Sequence, residues 1–166
     1  SKPKESTRHS IKPINDEQAL AFKLLMDPEI KLVTLVGKAG TGKTLISLLA
    51  AWQQLGDTDN DPKRILVWRP NVEIGRSLGF LPGDIDQKFA PWCEPICENM
   101  RLIVGPGHEK DGKKFDSVSE LIRSGLLEIQ PINYALGATK HNTVILIDEA
   151  QNLTPREVAA LITRCG

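Results

Sequence analysis

The sequence predicts an α/β protein whose mainly parallel sheet lies between helices in three layers. Two observations lead there. Short, continuously apolar runs (KLVTLV, RILVW, LLEIQ and TVILID) alternate with segments of helical pattern, as in a parallel sheet covered on both faces. Between the first run and the helix after it lies GKAGTGKT, Gly37 to Thr44, a glycine-rich turn at the end of a strand.

The elements follow in order. Ser1 to Pro13, SKPKESTRHSIKP, is polar with two prolines and reads as a leader or interdomain linker, so the domain proper is expected over 14–166. It is equally compatible with a bland tail. Asn15 is a good N-cap, with Gln18 three residues on as in a capping box; Leu20, Leu24 and Leu25 give an apolar face, and Pro28 ends the helix. KLVTLV follows as a buried strand, then the glycine loop, then a helix from about Gly42 to Leu55 with Gly56 at its C-terminal end.

DTDNDP is a surface loop and RILVW a second strand; RPNVEIGRSLGFLPGD carries too many glycines and prolines for a regular element. Ile85 to about Val104 has a helical pattern, and Pro91 and Pro95 predict two pieces or a kink. GPGHEKDGKKFD reads as a flexible, charged loop. Ser117 with Glu120 opens a helix ending at Gly125, LLEIQ and TVILID are strands, and Thr154-Pro155-Arg156-Glu157 combines an N-cap, a first-turn proline and a capping-box glutamate. No internal repeat is visible.

Composition excludes several classes. The 166 residues suffice for one domain with its own core. With 21 basic and 21 acidic side chains, net charge gives no global argument for nucleic acid, membrane or acidic partners, although a local basic groove stays compatible. Three cysteines, Cys93, Cys97 and Cys165, are too few and too odd for a disulfide framework and fit a reducing cytosol. Cys93 and Cys97 would face the same way on a helix, but no second ligand pair follows at zinc spacing and His9, His108 and His141 are scattered, so buried small hydrophobes are expected. The longest apolar run, around Leu45–Trp52, is too short to span a membrane, and no signal peptide is present; the expected compartment is the cytoplasm.

Gly37-x-x-x-x-Gly42-Lys43-Thr44 fits the phosphate-loop pattern G-x-x-x-x-G-K-[ST] in full, with a strand expected before it and a helix after. The chemistry needs those residues. Glycines at Gly37, Gly40 and Gly42, with small Ala39 and Thr41 and with Lys38 between, let backbone N–H groups turn toward phosphate oxygens. The helix adds its N-terminal partial charge, Lys43 reaches the outer phosphates, and the Thr44 hydroxyl suits Mg²⁺. The bland alternative is a glycine-rich turn with a lysine facing solvent.

VILIDEAQN narrows the class. Four apolar residues deliver Asp148 to a strand's carboxyl end, where it can support a magnesium ion. Glu149, one residue on, is placed to orient or deprotonate a water attacking a γ-phosphate. A kinase must exclude that water, so the pair favours hydrolysis. The expected cofactors are ATP and Mg²⁺, the expected catalytic groups Lys43 and Glu149, and the expected metal ligands Thr44 and Asp148.

The pair GKAGTGKT and DEAQ resembles the superfamily 1 helicase core, and Gln18 in NDEQ resembles the glutamine with which those helicases read adenine. A closer resemblance is to the PhoH-like proteins, the phosphate-starvation-inducible ATPases. It is carried by VWRPNVEIGRSLGFLPGDIDQKFAPWCEPI, Val67 to Ile96, and by IDEAQNLTPREVAALITRCG, and extends from Ile11 to Gly166. The resemblance implies a RecA-like three-layer P-loop NTPase whose ATP hydrolysis is coupled to RNA or single-stranded nucleic acid, in a homo-oligomeric ring. It also implies a PIN-type nuclease domain ahead of the Ser1–Pro13 linker, and ring or nucleic-acid contacts for Arg69 and the 75–84 segment. From the residues alone, Arg69 could equally be an ion-pair partner, and Gly79, Pro82 and Gly83 mark a tight turn.

Two departures from that pattern bear on activity. Where family members carry a Y-x-R-G-R-like stretch, this chain has Tyr134-Ala135-Leu136-Gly137-Ala138-Thr139, without either arginine. The chain also stops at Gly166, where family members continue into a strand that lies between the phosphate-loop strand and the Walker B strand. The expectation is therefore a sheet lacking a central strand, in a fragment or incompletely ordered chain, with strand donation by a neighbour as the alternative. An arginine finger contributes about 10³ to 10⁵ in turnover, so nucleotide binding with weak hydrolysis is expected. Two rivals stand beside the ATPase: a small-molecule kinase, and a nucleotide-binding assembly module without turnover.

Overall fold

A computed structural model describes residues 11–56, 58, 61–70, 85–105, 108–110, 113–115, 117–132 and 141–163. The stretch 71–84, the sequence around Tyr134–Thr139 and Cys165 lie outside them.

The helices begin where the sequence places their caps. Helix α1, Asp16–Met26, is capped by Asn15, whose side chain accepts from the Gln18 N–H. Helix α2, Lys43–Gln54, follows the glycine loop directly. Helix α4, Val118–Arg123, is capped by Ser117, and α5, Pro155–Ile162, by a complete capping box between Thr154 and Glu157. The Thr154 backbone N–H and hydroxyl both donate to Glu157 and hold its carboxyl below the usual range.

Strands β1 (Arg64–Arg69), β4 (Leu127–Pro131) and β5 (Thr143–Ile147) form a parallel sheet in the order β4-β1-β5. Ile65 pairs with Leu127 on one side and Val144 on the other. Arg64 ties the start of the sheet together, donating to Thr143 Oγ1 at 3.1 Å and lying 3.5 Å from a Glu128 oxygen.

Central β1 shows why its run is continuously apolar. Ile65 and Val67 face one cluster, with Leu48 and Trp52 of α2, Ile96 and Met100 of α3 (Ile85–Val104), and Leu121 of α4. Leu66 and Trp68 face the other, with Ile132 and Leu161 of α5. All four strand residues are wholly buried, each contributing about 1.5–3 kcal/mol. Helices on both faces make the three-layer α/β/α arrangement.

Four expectations need correction. Lys31–Val36 does not join the sheet: β5 pairs with β1, and no described strand offers Lys31–Val36 a ladder. Apolar pattern makes a strand only where backbone partners exist, and Leu32 and Val36 stand 61% and 93% exposed.

On α1, Leu20 and Leu24 point outward. The partly buried face is Gln18, Ala21, Phe22, Leu25 and Met26, and Gln54 of α2 donates to the Leu25 carbonyl at 3.0 Å. The residues 85–104 form one helix, so of the two pieces or kink that the prolines predict, the two pieces are excluded. Its prolines stand four apart, so the N–H missing at Pro95 is the one that would have met the Pro91 carbonyl. Buried Ile96, Cys97, Met100 and Val104 anchor the helix beyond them.

Within the charged loop, β2 (His108–Lys110) and β3 (Lys113–Phe115) pair antiparallel. The residues joining them are Asp111-Gly112, a strong short-range hairpin signal that the charge of the stretch obscured.

Candidate active site

The glycine loop owes its shape to two left-handed glycines. Gly40 has φ +77° and Gly42 φ +81°, a region costly to any side chain. Gly42 is also the N-cap of α2 and supplies no side-chain cap, so the first N–H groups of the helix are left for another acceptor. A Cβ at Gly40 would meet nothing within 4 Å, whereas one at Gly42 would come within 3.0 Å of Gln18 Nε2.

Around that backbone the polar side chains close on the loop. Lys43 Nζ donates to the carbonyls of Gly37 and Lys38, both at 2.8 Å, and lies 3.5 Å from Thr41 Oγ1. The Thr41 hydroxyl donates to the Lys38 carbonyl at 2.8 Å. Gln18 braces the loop from α1: its Nε2 donates to the Thr41 carbonyl at 3.0 Å, and its Oε1 accepts from the Ile14 N–H at 3.0 Å. Its amide thus meets Ile14 N–H, not the Asn15 N–H of a full capping box. Ala39 sits exposed between these contacts.

Thr44 and Asp148 come from opposite ends of the chain. Asp148 follows β5, and its N–H donates to the Trp68 carbonyl at 2.9 Å, carrying the ladder one residue past the strand. The Thr44 hydroxyl donates to Asp148 Oδ1 at 3.1 Å. At 8% exposure, Asp148 is the buried polar residue among those described. Two hard oxygen donors beside a phosphate-type loop suit Mg²⁺, which takes one or two protein oxygens and completes its shell with water and phosphate. Among the described residues no group of three or more His, Cys, Asp or Glu is placed to hold a metal ion.

Glu149 is exposed and left-handed, with φ +54° and ψ +37°, and starts the 3₁₀ turn Ala150–Asn152. A glutamate in that region is uncommon and strained. Its carboxylate accepts a hydrogen bond from Gln151 Nε2.

Sequence reasoning left the role of Arg69 open and did not connect it to Asp148. Arg69 Nε lies 3.0 Å from Asp148 Oδ2, with side chains 13% and 10% exposed. The N–H is not aligned for a hydrogen bond, so the contact is an ion pair held by charge. Arg69 Nη1 donates instead to the Trp92 carbonyl, and the guanidinium lies 5.7 Å from the centre of the Trp92 ring. The signal was there: opposite charges end two apolar runs that become neighbouring parallel strands.

Cys93 and Cys97 are free and belong to the same apolar cluster on α3. Burial pushes the Cys93 thiol up to about 11, with Cys97 adding to the effect. Burial raises Cys97 too.

Comparison with known proteins places these features in a family. The family described as "PhoH-like protein" matches residues 10–166. "Protein PhoH2" of Bacillus subtilis (strain 168) is 40% identical over 156 residues, covering 94% of this chain and 34% of the relative. "Protein PhoH" of Escherichia coli (strain K12) is 38% identical over 136 residues, 82% of this chain and 36% of the relative. A "PhoH-like protein" of Synechocystis sp. (strain ATCC 27184 / PCC 6803 / Kazusa) is 36% identical over 131 residues, 79% of this chain and 37% of the relative. The chain thus spans about a third of the length of the curated relatives it matches. A glycine loop of this pattern on a parallel sheet, matched across nearly the whole chain, establishes that it belongs to the PhoH-like family of P-loop NTPases.

Proposed function

We propose that this chain binds ATP with Mg²⁺ and hydrolyses it, and that in the longer protein the turnover is coupled to remodelling of RNA or single-stranded nucleic acid. The observation carrying the reading is the Thr44 hydroxyl 3.1 Å from Asp148 Oδ1, directly behind the left-handed glycines of the loop.

Each residue takes a role its chemistry suits. Backbone N–H groups from Gly37 to Thr44 bind the phosphate chain, and Lys43 exchanges its carbonyl partners for phosphate oxygens. Thr44 and Asp148 would hold Mg²⁺, whose charge would neutralise the phosphate oxygens. Glu149 orients a water and takes its proton, once released from Gln151. Gln18 sits against Thr41, at the edge of the loop where it would serve both the loop and the adenine.

The unit doing this is residues 14–166, with Ser1–Pro13 as the linker to a PIN-type domain in the full-length protein. A homo-oligomeric ring in the cytoplasm is the proposed setting. No helix among the described residues is long and apolar enough to cross a membrane.

ATP turnover with Mg²⁺, with and without single-stranded RNA, beside Lys43→Ala and Glu149→Gln, tests the reading. Turnover abolished by both substitutions and stimulated by RNA supports it. Tight ATP binding that needs Lys43, without turnover under any condition, would establish the assembly module instead. Phosphate appearing on a small acceptor, indifferent to Glu149→Gln, would establish a kinase.

A further inference from the structure

We propose that Arg69 is the built-in counter-ion of Asp148, and that Arg69 and Mg²⁺ compete for that carboxylate. The inference rests on the reading of Thr44 and Asp148 as the metal pair.

Parallel register brings the two charges together. Trp68 lies opposite Ile147, so Arg69 and Asp148 leave the sheet side by side at its carboxyl end. The carboxylate is shared: Oδ1 takes the Thr44 hydroxyl and Oδ2 lies 3.0 Å from Arg69 Nε. A carboxylate this buried needs a compensating charge, and Arg69 supplies one from within the fold.

Arg69 does not depend on Asp148 for its own place. Its Nη1 donates to the Trp92 carbonyl, its guanidinium lies near the Trp92 ring, and Trp92 Nε1 donates to the Pro70 carbonyl at 3.3 Å. The Nε–H, by contrast, is poorly aligned on the carboxylate. Strong anchoring to α3 and a purely electrostatic grip on Asp148 suit a partner that must yield. A cation fixed there also repels a divalent ion at the same carboxylate, so Arg69 weakens Mg²⁺ binding while stabilising the protein without Mg²⁺.

Full-length chains carrying Arg69→Met, Asp148→Asn and both changes test this. The measurements are thermal unfolding in EDTA, and the Mg²⁺ concentration that half-saturates the tightening of a fluorescent ATP analogue. Arg69→Met is expected to lower the EDTA melting temperature. It should also lower the Mg²⁺ half-saturation about tenfold, the effect of removing a unit charge a few ångströms from a divalent ion in water-like dielectric. In the Asp148→Asn background the melting-temperature loss should shrink and the tightening disappear. Arg69→Lys, which keeps the charge, should hold the wild-type half-saturation and serves if Arg69→Met does not fold. Equal destabilisation in both backgrounds with unchanged half-saturation would overturn the proposal and leave Arg69 as a packing residue against Trp92. A wild-type protein whose ATP affinity ignores Mg²⁺ would overturn the metal reading itself, and this competition with it.

Discussion

The Thr44 hydroxyl meets Asp148 Oδ1 at 3.1 Å although the two residues are 104 positions apart in the chain. Neither contact partner is idle. Thr44 sits in the first turn of α2, and Asp148 is tied to Trp68 through its backbone, so the bond joins the loop to the sheet. Thr44→Val, nearly isosteric but without the hydroxyl, should leave nucleotide binding in EDTA within a few-fold of wild type. The Mg²⁺-dependent gain should fall about tenfold or more, because one of the two proposed protein oxygens for the metal is lost. Fluorescent-nucleotide titrations with and without Mg²⁺ read this directly.

Glu149→Gln keeps the shape of the side chain and removes the proposed base. Turnover should drop about 10²- to 10⁴-fold while ATP affinity stays near wild type. A second substitution, Gln151→Ala, removes the donor that holds the Glu149 carboxylate. It should leave ATP affinity unchanged and alter the turnover number; single-turnover kinetics separate the two.

Gly42 is fixed by conformation and by space together. Gly42→Ala strains a backbone at φ +81° and drives a methyl toward Gln18 Nε2. ATP affinity should fall and the protein should lose about 1–2 kcal/mol, the cost of one left-handed non-glycine residue. Gln18→Ala, by contrast, removes one brace on the Thr41 carbonyl and should cost about 1 kcal/mol. If Gln18 also reads adenine, discrimination between ATP and GTP will fall in the same variant, which competition binding measures.

Much of this was legible in the chain. The turn of the glycine loop, the place of Asp148 at a strand end and the cap residues were readable because each is encoded locally, through conformational freedom, charge or a hydrogen bond within four residues. What depended on distant partners was not. KLVTLV has a strand's composition but no ladder, and Leu20 and Leu24 have a core helix's spacing but face outward. Arg69 found Asp148 through the register of β1 with β5, which no local pattern reports. The two prolines of α3 do not divide it in two, since a buried apolar face outweighs two missing hydrogen bonds.

Alkaline titration should expose Cys93. Its thiol is pushed up to about 11 by burial first and by Cys97 second. Unfolded, the thiol ionises at its ordinary value near 9, so between about pH 9 and 11 the unfolded chain loses a proton that the folded chain keeps. Stability should therefore fall across that window, and fall less steeply in Cys93→Ser. Urea unfolding of both proteins from pH 8 to 11 gives the difference, in which the other alkaline groups cancel.

The sheet order has a consequence for the chain as it is being made. Its central strand is the first to be synthesised, and both neighbours come later: Arg64 bonds Thr143, 79 residues further on. At about 5–20 residues per second, the ribosome takes roughly 4–16 seconds to cover that span. Until then one edge of β1 lacks its ladder, and Leu66 and Trp68, wholly buried in the finished fold, lack Leu161 and the β5 residues that pack against them. The most deeply buried strand among those described thus waits for its second ladder, and the nascent chain is most prone to aggregate or recruit a chaperone in that interval.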